Sequence, residues 1–128
     1  MRYAPGLLIV LTVTACAAAA PGDRAPDRRH LISRAEIEES GARSAWELVE
    51  SLRPQWLWKR GLQNLSEATG NETLVVYMDN ARLGPPETLR RITLGSVRYL
   101  EYFDARRATH RWGSGHLQGA ILVSTQDP

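Results

Sequence analysis

Val97-Arg-Tyr-Leu-Glu-Tyr-Phe103, then Asp104 to Arg111, then Trp112-Gly-Ser-Gly115-His-Leu-Gln-Gly119-Ala-Ile-Leu-Val-Ser-Thr125 form the stretch whose reading decides the fold. Tyr, Leu and Phe give the first run strand chemistry. Ile121-Leu-Val123 is a short unbroken apolar run, suited to a strand covered on both faces. Between them, Ala105 to His110 contains no Gly or Pro and has the length for about two helical turns. Gly113, Gly115 and Gly119 then let the backbone reach positive φ and make a close approach. The unit reads strand, short helix, glycine-rich loop, strand. A separation of about 20 residues between its strands suits a crossover better than a tight hairpin.

Upstream, Leu74-Val-Val-Tyr-Met78 is apolar throughout and predicts a central strand. Asp79-Asn80 turns it, because both side chains tolerate the left-handed region, and the positive φ is expected at Asn80. Gly84-Pro-Pro86 ends the hairpin, and Glu87 to Ile92 predicts a helical turn. Nearer the N-terminus, His30-Leu-Ile32 predicts a short first strand. Ser33-Arg-Ala-Glu36 and Ser44-Ala-Trp-Glu47 both fit the capping box, in which Ser accepts from an early helix amide and Glu reaches back. Ala45, Leu48, Val49 and Leu52 then fall on one helix face. Arg53-Pro54 stops that helix, since a residue before proline avoids the α region. These elements give a small α+β domain over residues 30–126, with a mixed sheet of three to four strands and two to three short helices.

At these residues a family resemblance enters. Val97-Arg-Tyr-Leu-Glu101-Tyr, Trp112-Gly-Ser-Gly115 and Gly119-Ala-Ile-Leu-Val-Ser-Thr125 resemble the C-terminal part of the plug domain of TonB-dependent outer-membrane receptors. Leu74 to Leu83 resembles the preceding hairpin of that family, with Asp79 and Asn80 at its turn. Two positions depart from the pattern: Asn80 stands where the family usually has Gly, and Asp104-Ala105 replaces a Gly-Pro. The resemblance implies a non-enzymatic module that binds a partner or ligand at the outer membrane, linked to uptake or export. A structural envelope protein that keeps the plug fold without a transport role is the alternative. A transporter barrel would need many further strands of about 10 residues each. The sequence ends at Pro128, so the expectation is a plug-like module acting without a barrel of its own.

The N-terminus agrees with an exported protein. Met1-Arg-Tyr and Leu7-Leu-Ile-Val-Leu-Thr-Val13 form a charged and an apolar region too short to span a bilayer, as in an export signal over residues 1–15. Val13-Thr-Ala-Cys16 resembles a lipobox, which implies cleavage before Cys16 and a lipid on its sulfur. Ordinary cleavage among Ala17 to Ala20 is the other reading. Cys16 is the single cysteine, so no disulfide can form within the chain. Ala17 after the cysteine, by resemblance to enteric lipoproteins, favours the outer membrane, with the domain facing the periplasm. Residues 16–29 are small, charged and Pro-containing, as in a flexible tether. The expected partners are therefore the membrane, through the lipid anchor, and an outer-membrane barrel protein or another envelope protein.

The formal net charge is +2, and the nearly balanced charges leave no nucleic-acid footprint. No catalytic residue, metal site or cofactor is expected. Gly113-x-Gly115-x-x-x-Gly119 precedes a strand, whereas a phosphate loop follows a strand and opens a helix. His110 and His116 have no cysteine to complete a zinc set. Two placements remain open. Trp56 and Trp58 alternate along an extended segment beside Lys59 and Arg60, either as a buried pair or as a partner-contact strip. Glu101 lies among the apolar residues of its strand and needs an arginine partner, with Arg82 or Arg111 the candidates, unless that face meets solvent.

Overall fold

A computed structural model describes residues 27–58 and 74–128. The chain builds strand β1 (Leu31–Ile32), helices α1 (Arg34–Ser40) and α2 (Ala45–Leu52), and the hairpin strands β2 (Val75–Met78) and β3 (Ala81–Gly84). Strand β4 (Tyr99–Phe103), helix α3 (Ala105–Trp112) and strand β5 (Ala120–Ser124) follow. Short 3-10 turns at Pro54–Trp56, Pro86–Arg91 and Leu94–Ser96 complete the described residues. This is a small α+β fold with a mixed five-stranded sheet in the order β1-β4-β5-β2-β3, one strand more than expected. The signal segment and all of the tether but residues 27–29 lie outside the described residues.

Local chemistry starts each helix where the residue types allow it. Ser33 accepts from the Glu36 amide, and the Glu36 carboxylate accepts from the Ser33 amide at 2.8 Å, which closes a full capping box. Ser44 accepts from the Glu47 amide, but the Glu47 carboxylate reaches the Arg43 amide instead, one residue early. Asp104 caps α3 by accepting from the Arg107 amide at 2.8 Å.

The deciding stretch folds as expected in its elements and differently in its connection. β4 and β5 are direct antiparallel neighbours, with Phe103 opposite Ala120 and Tyr99 opposite Ser124. The parallel pairing is made by β5 with β2. Helix α3 lies back across the sheet, so the long connection carries a helix while still returning the chain beside β4. Gly119 makes that return possible. Its φ is +93°, and a side-chain carbon there would sit 2.2 Å from the Phe103 carbonyl oxygen. Only glycine fits.

The sheet is covered unequally. On one face Val76, Leu100, Ile121 and Val123 pack against Ile37, Leu48, Val49, Leu89 and Val97, all buried. On the other face Val75, Tyr77, Phe103, Ala120 and Leu122 meet α3, through Ala108 and Trp112, and Tyr77 also meets the loop that follows it. At one edge of the sheet, β3 exposes Ala81, Arg82 and Leu83.

Two arginines tie the thick layer together through backbone carbonyls. Arg34 donates to the carbonyls of Leu94 and Val97 at 3.0 and 2.7 Å. Arg53 donates to the Arg28 carbonyl and to the Glu36 carboxylate at 2.9 Å. Burial pushes the Glu36 carboxyl up, but the Ser33 amide, the Arg53 guanidinium and the Ser33 hydroxyl outweigh it and hold its pKa below the ordinary value.

Candidate functional site

The thin face carries the most distinctive chemistry among the described residues. Within α3, Ala108 and Trp112 are four apart, so both point at the sheet. That spacing sends Arg106, Arg107, His110 and Arg111 outward, where all four are exposed. With Phe103 they line an open depression of about 740 Å³. The guanidinium carbons of Arg107 and Arg111 stand 4.4 and 5.3 Å from the Phe103 ring centroid, within cation–π range. Arg111 also stands 4.9 Å from the Trp112 ring centroid.

Glu101 finds its arginine here, and the partner is Arg107 rather than Arg82 or Arg111. Arg107 Nη2 lies 2.6 Å from Glu101 Oε1, with the two side chains 44% and 22% exposed. Alternation along β4 puts Glu101 on the α3 face with Tyr99 and Phe103, while Val97 precedes the strand and packs in the thick layer. The pair is therefore half-buried at a helix–sheet seam. Six residues of sequence separate the partners, but the reversal of the chain at Asp104 brings them together.

Behind this surface a buried network locks α3 and its glycine loop. Trp112 stacks on Tyr77 with ring centroids 4.2 Å apart and nearly parallel planes. Phe103 meets Trp112 edge-on at 5.0 Å. His116 is buried, with Nδ1 2.8 Å from the Gly113 carbonyl and Nε2 2.8 Å from the Tyr77 hydroxyl. A carbonyl can only accept, so Nδ1 donates, and in the neutral ring Nε2 accepts from the Tyr77 hydroxyl. Tyr77, Trp112 and His116 thereby fasten β2, α3 and the loop together. Gly113 and Gly115 stay exposed and make the turns of that loop at positive φ.

Asp79 anchors the far end of β5. Its carboxylate accepts from the Thr125 amide and the Thr125 hydroxyl, each at 2.9 Å. The Thr125 amide first, and then its hydroxyl, hold the Asp79 carboxyl below its ordinary pKa, against a smaller opposing effect of burial. The hairpin turn also differs from expectation: the positive φ, 52°, belongs to Asp79, and Asn80 does not share it. The residue that both bends the chain and clamps Thr125 takes the left-handed conformation. Asp79, Asn80, Tyr99, Arg111 and Ser124 share a second, polar depression of about 140 Å³ on the far side of Arg111.

The tryptophan strip does not form. Pro54–Trp56 is a 3-10 turn rather than an extended segment, so the two rings separate. Trp56 is buried against Tyr102 and donates its indole N–H to the Arg29 carbonyl at 3.0 Å, which removes it as a contact residue. Trp58 is 65% exposed. Lys59, Arg60 and Cys16 lie outside the described residues. Comparison with family models, with characterised proteins and with solved structures finds no match. Among the described residues no group of His, Cys, Asp and Glu is placed to hold a metal ion, and no helix is long and apolar enough to cross a membrane.

Sequence reasoning missed the α3 surface and the Tyr77–His116 lock. The first had a readable signal. Ala108 and Trp112 at i, i+4 set opposite Arg106, Arg107, His110 and Arg111 already describe a helix with one apolar and one cationic face. The second had none, since 39 positions separate Tyr77 from His116.

Proposed function

We propose that this chain is a non-enzymatic, plug-like binding module, lipid-anchored through Cys16 at the outer membrane and facing the periplasm. There it engages a barrel protein or another envelope protein in uptake or export. The observation that carries this reading is the joining of the two segments with plug-like sequence into one sheet. The hairpin β2–β3 and the β4–α3–glycine loop–β5 unit lie side by side, with β5 parallel to β2 and Gly119 pressed on the Phe103 backbone. The non-enzymatic part is supported by how the reactive side chains are used. The buried Tyr77–His116 pair is enclosed under Trp112, and Asp79 is bonded to Thr125.

Two measurements test the reading. Mass spectrometry of protein extracted from membranes should find an acylated Cys16 as the first residue, and Cys16→Ser should move the protein into the soluble fraction when membranes are washed at high salt. Crosslinking pull-down of the full chain from membranes should recover an outer-membrane barrel or another envelope protein as a dominant partner. A Cys16→Ser variant that stays membrane-bound at high salt, together with an unmodified N-terminus on the native protein, would overturn the anchor. Recovery of no envelope protein would overturn the partner.

A further inference from the structure

We infer that the outer face of α3, built on Arg106, Arg107, His110 and Arg111 over the Phe103 ring, is the surface that seats the domain on anionic phospholipid headgroups. Guanidinium groups stay charged at every physiological pH. Arg107 already has Glu101 as its counter-ion. Among the described residues, Arg106 and Arg111 have no carboxylate within ion-pair distance, although both line the same depression. The face thus presents more positive charge than Glu101 neutralises, with Asp79 and Asp127 bordering Arg111 only across the smaller depression, on a helix whose other side is fixed to the sheet by Ala108 and Trp112. An anionic partner satisfies it.

The shape and the tether favour lipid over an acidic protein. The depression is floored by one aromatic ring and the stems of its arginines, and it is far larger than a carboxylate needs. It can admit a phosphodiester with part of its glycerol while the guanidinium groups meet the phosphate oxygens bidentately. Asp27 follows Cys16 by 11 positions in the sequence. A chain of that length reaches at most about 40 Å, against a radius of gyration of about 13 Å for a domain this size. An anchor at Cys16 would therefore keep α3 within reach of the headgroups. A lipid chain combined with a basic patch also holds a membrane more firmly than either alone. The inference rests on the anchored reading for this tether, but the binding itself does not require acylation.

The test uses the full chain carrying Cys16→Ser, so that no acyl group contributes. It is sedimented with phosphatidylcholine vesicles and with vesicles containing about 30% phosphatidylglycerol, at low and high salt. The parent should prefer the anionic vesicles, and high salt should abolish the preference. Each basic residue near an anionic surface is worth roughly fivefold, so R106E/R111E should lose about twentyfold or more. R106Q/R111Q should fall between, and serves in its place if far-UV circular dichroism shows the charge-reversed protein misfolded. R43E/R91E changes the net charge equally from the thick-layer side and should bind much as the parent does. Equal vesicle binding by the parent and the α3 variants would overturn the inference, as would an equal loss in R43E/R91E. Tighter binding to a soluble polyglutamate peptide at matched charge would also overturn it, in favour of an acidic protein. Acylation at Cys16 without vesicle binding would remove only the α3 surface. Vesicle binding without acylation would remove only the anchor.

Discussion

The two faces of the sheet are built on different principles. The α1–α2 face buries an extended, largely aliphatic cluster, with Leu48, Val49, Leu89 and Leu100 fully inside. The α3 face is closed by one helix, through an aromatic stack and a single small residue, and turns its arginines outward. Burial of apolar surface is the main favourable term in folding, so the first face supplies most of the stability. The second needs only enough packing to hold a helix in place, which leaves its outer side free to carry charge.

The connection between the faces is the place to break this division most severely. Gly119→Ala combines positive φ with a carbon placed on the Phe103 carbonyl. It should cost about 3–5 kcal/mol in urea unfolding, through backbone strain and overpacking together. A loss below about 1 kcal/mol would mean the loop can relax away from β4. Next in size comes the direct contrast. Leu48→Ala should cost about 2–5 kcal/mol by leaving a cavity in the thick layer. Trp112→Ala, from a half-buried site, should cost less, about 2 kcal/mol, and should abolish the near-UV signal of the Tyr77–Trp112 stack. A reversed order would refute the assignment of the main core.

Tyr77→Phe sharpens the same comparison within the thin layer. It keeps the ring under Trp112 but leaves His116 Nε2 buried without its partner, at a cost of about 1–3 kcal/mol. An unchanged midpoint would show that water replaces the hydroxyl.

Acid pH reaches both faces at once. Glu36 and Asp79 both have lowered folded pKa values, relative to ordinary values of 4.5 and 3.8. In acid the unfolded chain therefore takes up protons first. Their stabilisation is present above those ordinary values and is lost as pH falls through the lower folded ones. Asp79→Asn should lose about 1 kcal/mol at neutral pH and show a shallower decline in acid than the parent. Parallel pH profiles for the two proteins would remove Asp79 from the acid response.

What the sequence disclosed and what it hid divide along the range of the interactions. The Ser33–Glu36 capping box, the Ala45–Leu48–Val49 face and the stop at Arg53-Pro54 depend on residues within one turn of each other, and all are present as read. The close approach at Gly119 was legible because only glycine has the freedom for it. The partner of β4 was not legible, because connection length alone does not fix whether a strand returns parallel or antiparallel. Trp56 and Trp58 were misplaced because Pro54 starts a 3-10 turn, which breaks the alternation assumed for an extended run. The Arg107–Glu101 pair and the Asp79–Thr125 clamp depend on how the chain reverses in space. At the candidate site the charges themselves were in plain view. Their grouping with Phe103 appears only once α3 is laid on the sheet.

The smallest expected effect is also the most direct test of the division between a face that folds and a face that binds. In R106E/R111E, Arg106 leaves no ion pair behind among the described residues, and the exposed Arg111 gives up its cation–π contacts with Phe103 and Trp112. The equilibrium free energy of urea unfolding should therefore stay within about 1 kcal/mol of the parent. A loss above about 3 kcal/mol, the scale of a broken core contact, would show that these arginines hold the fold together, and would contradict the account.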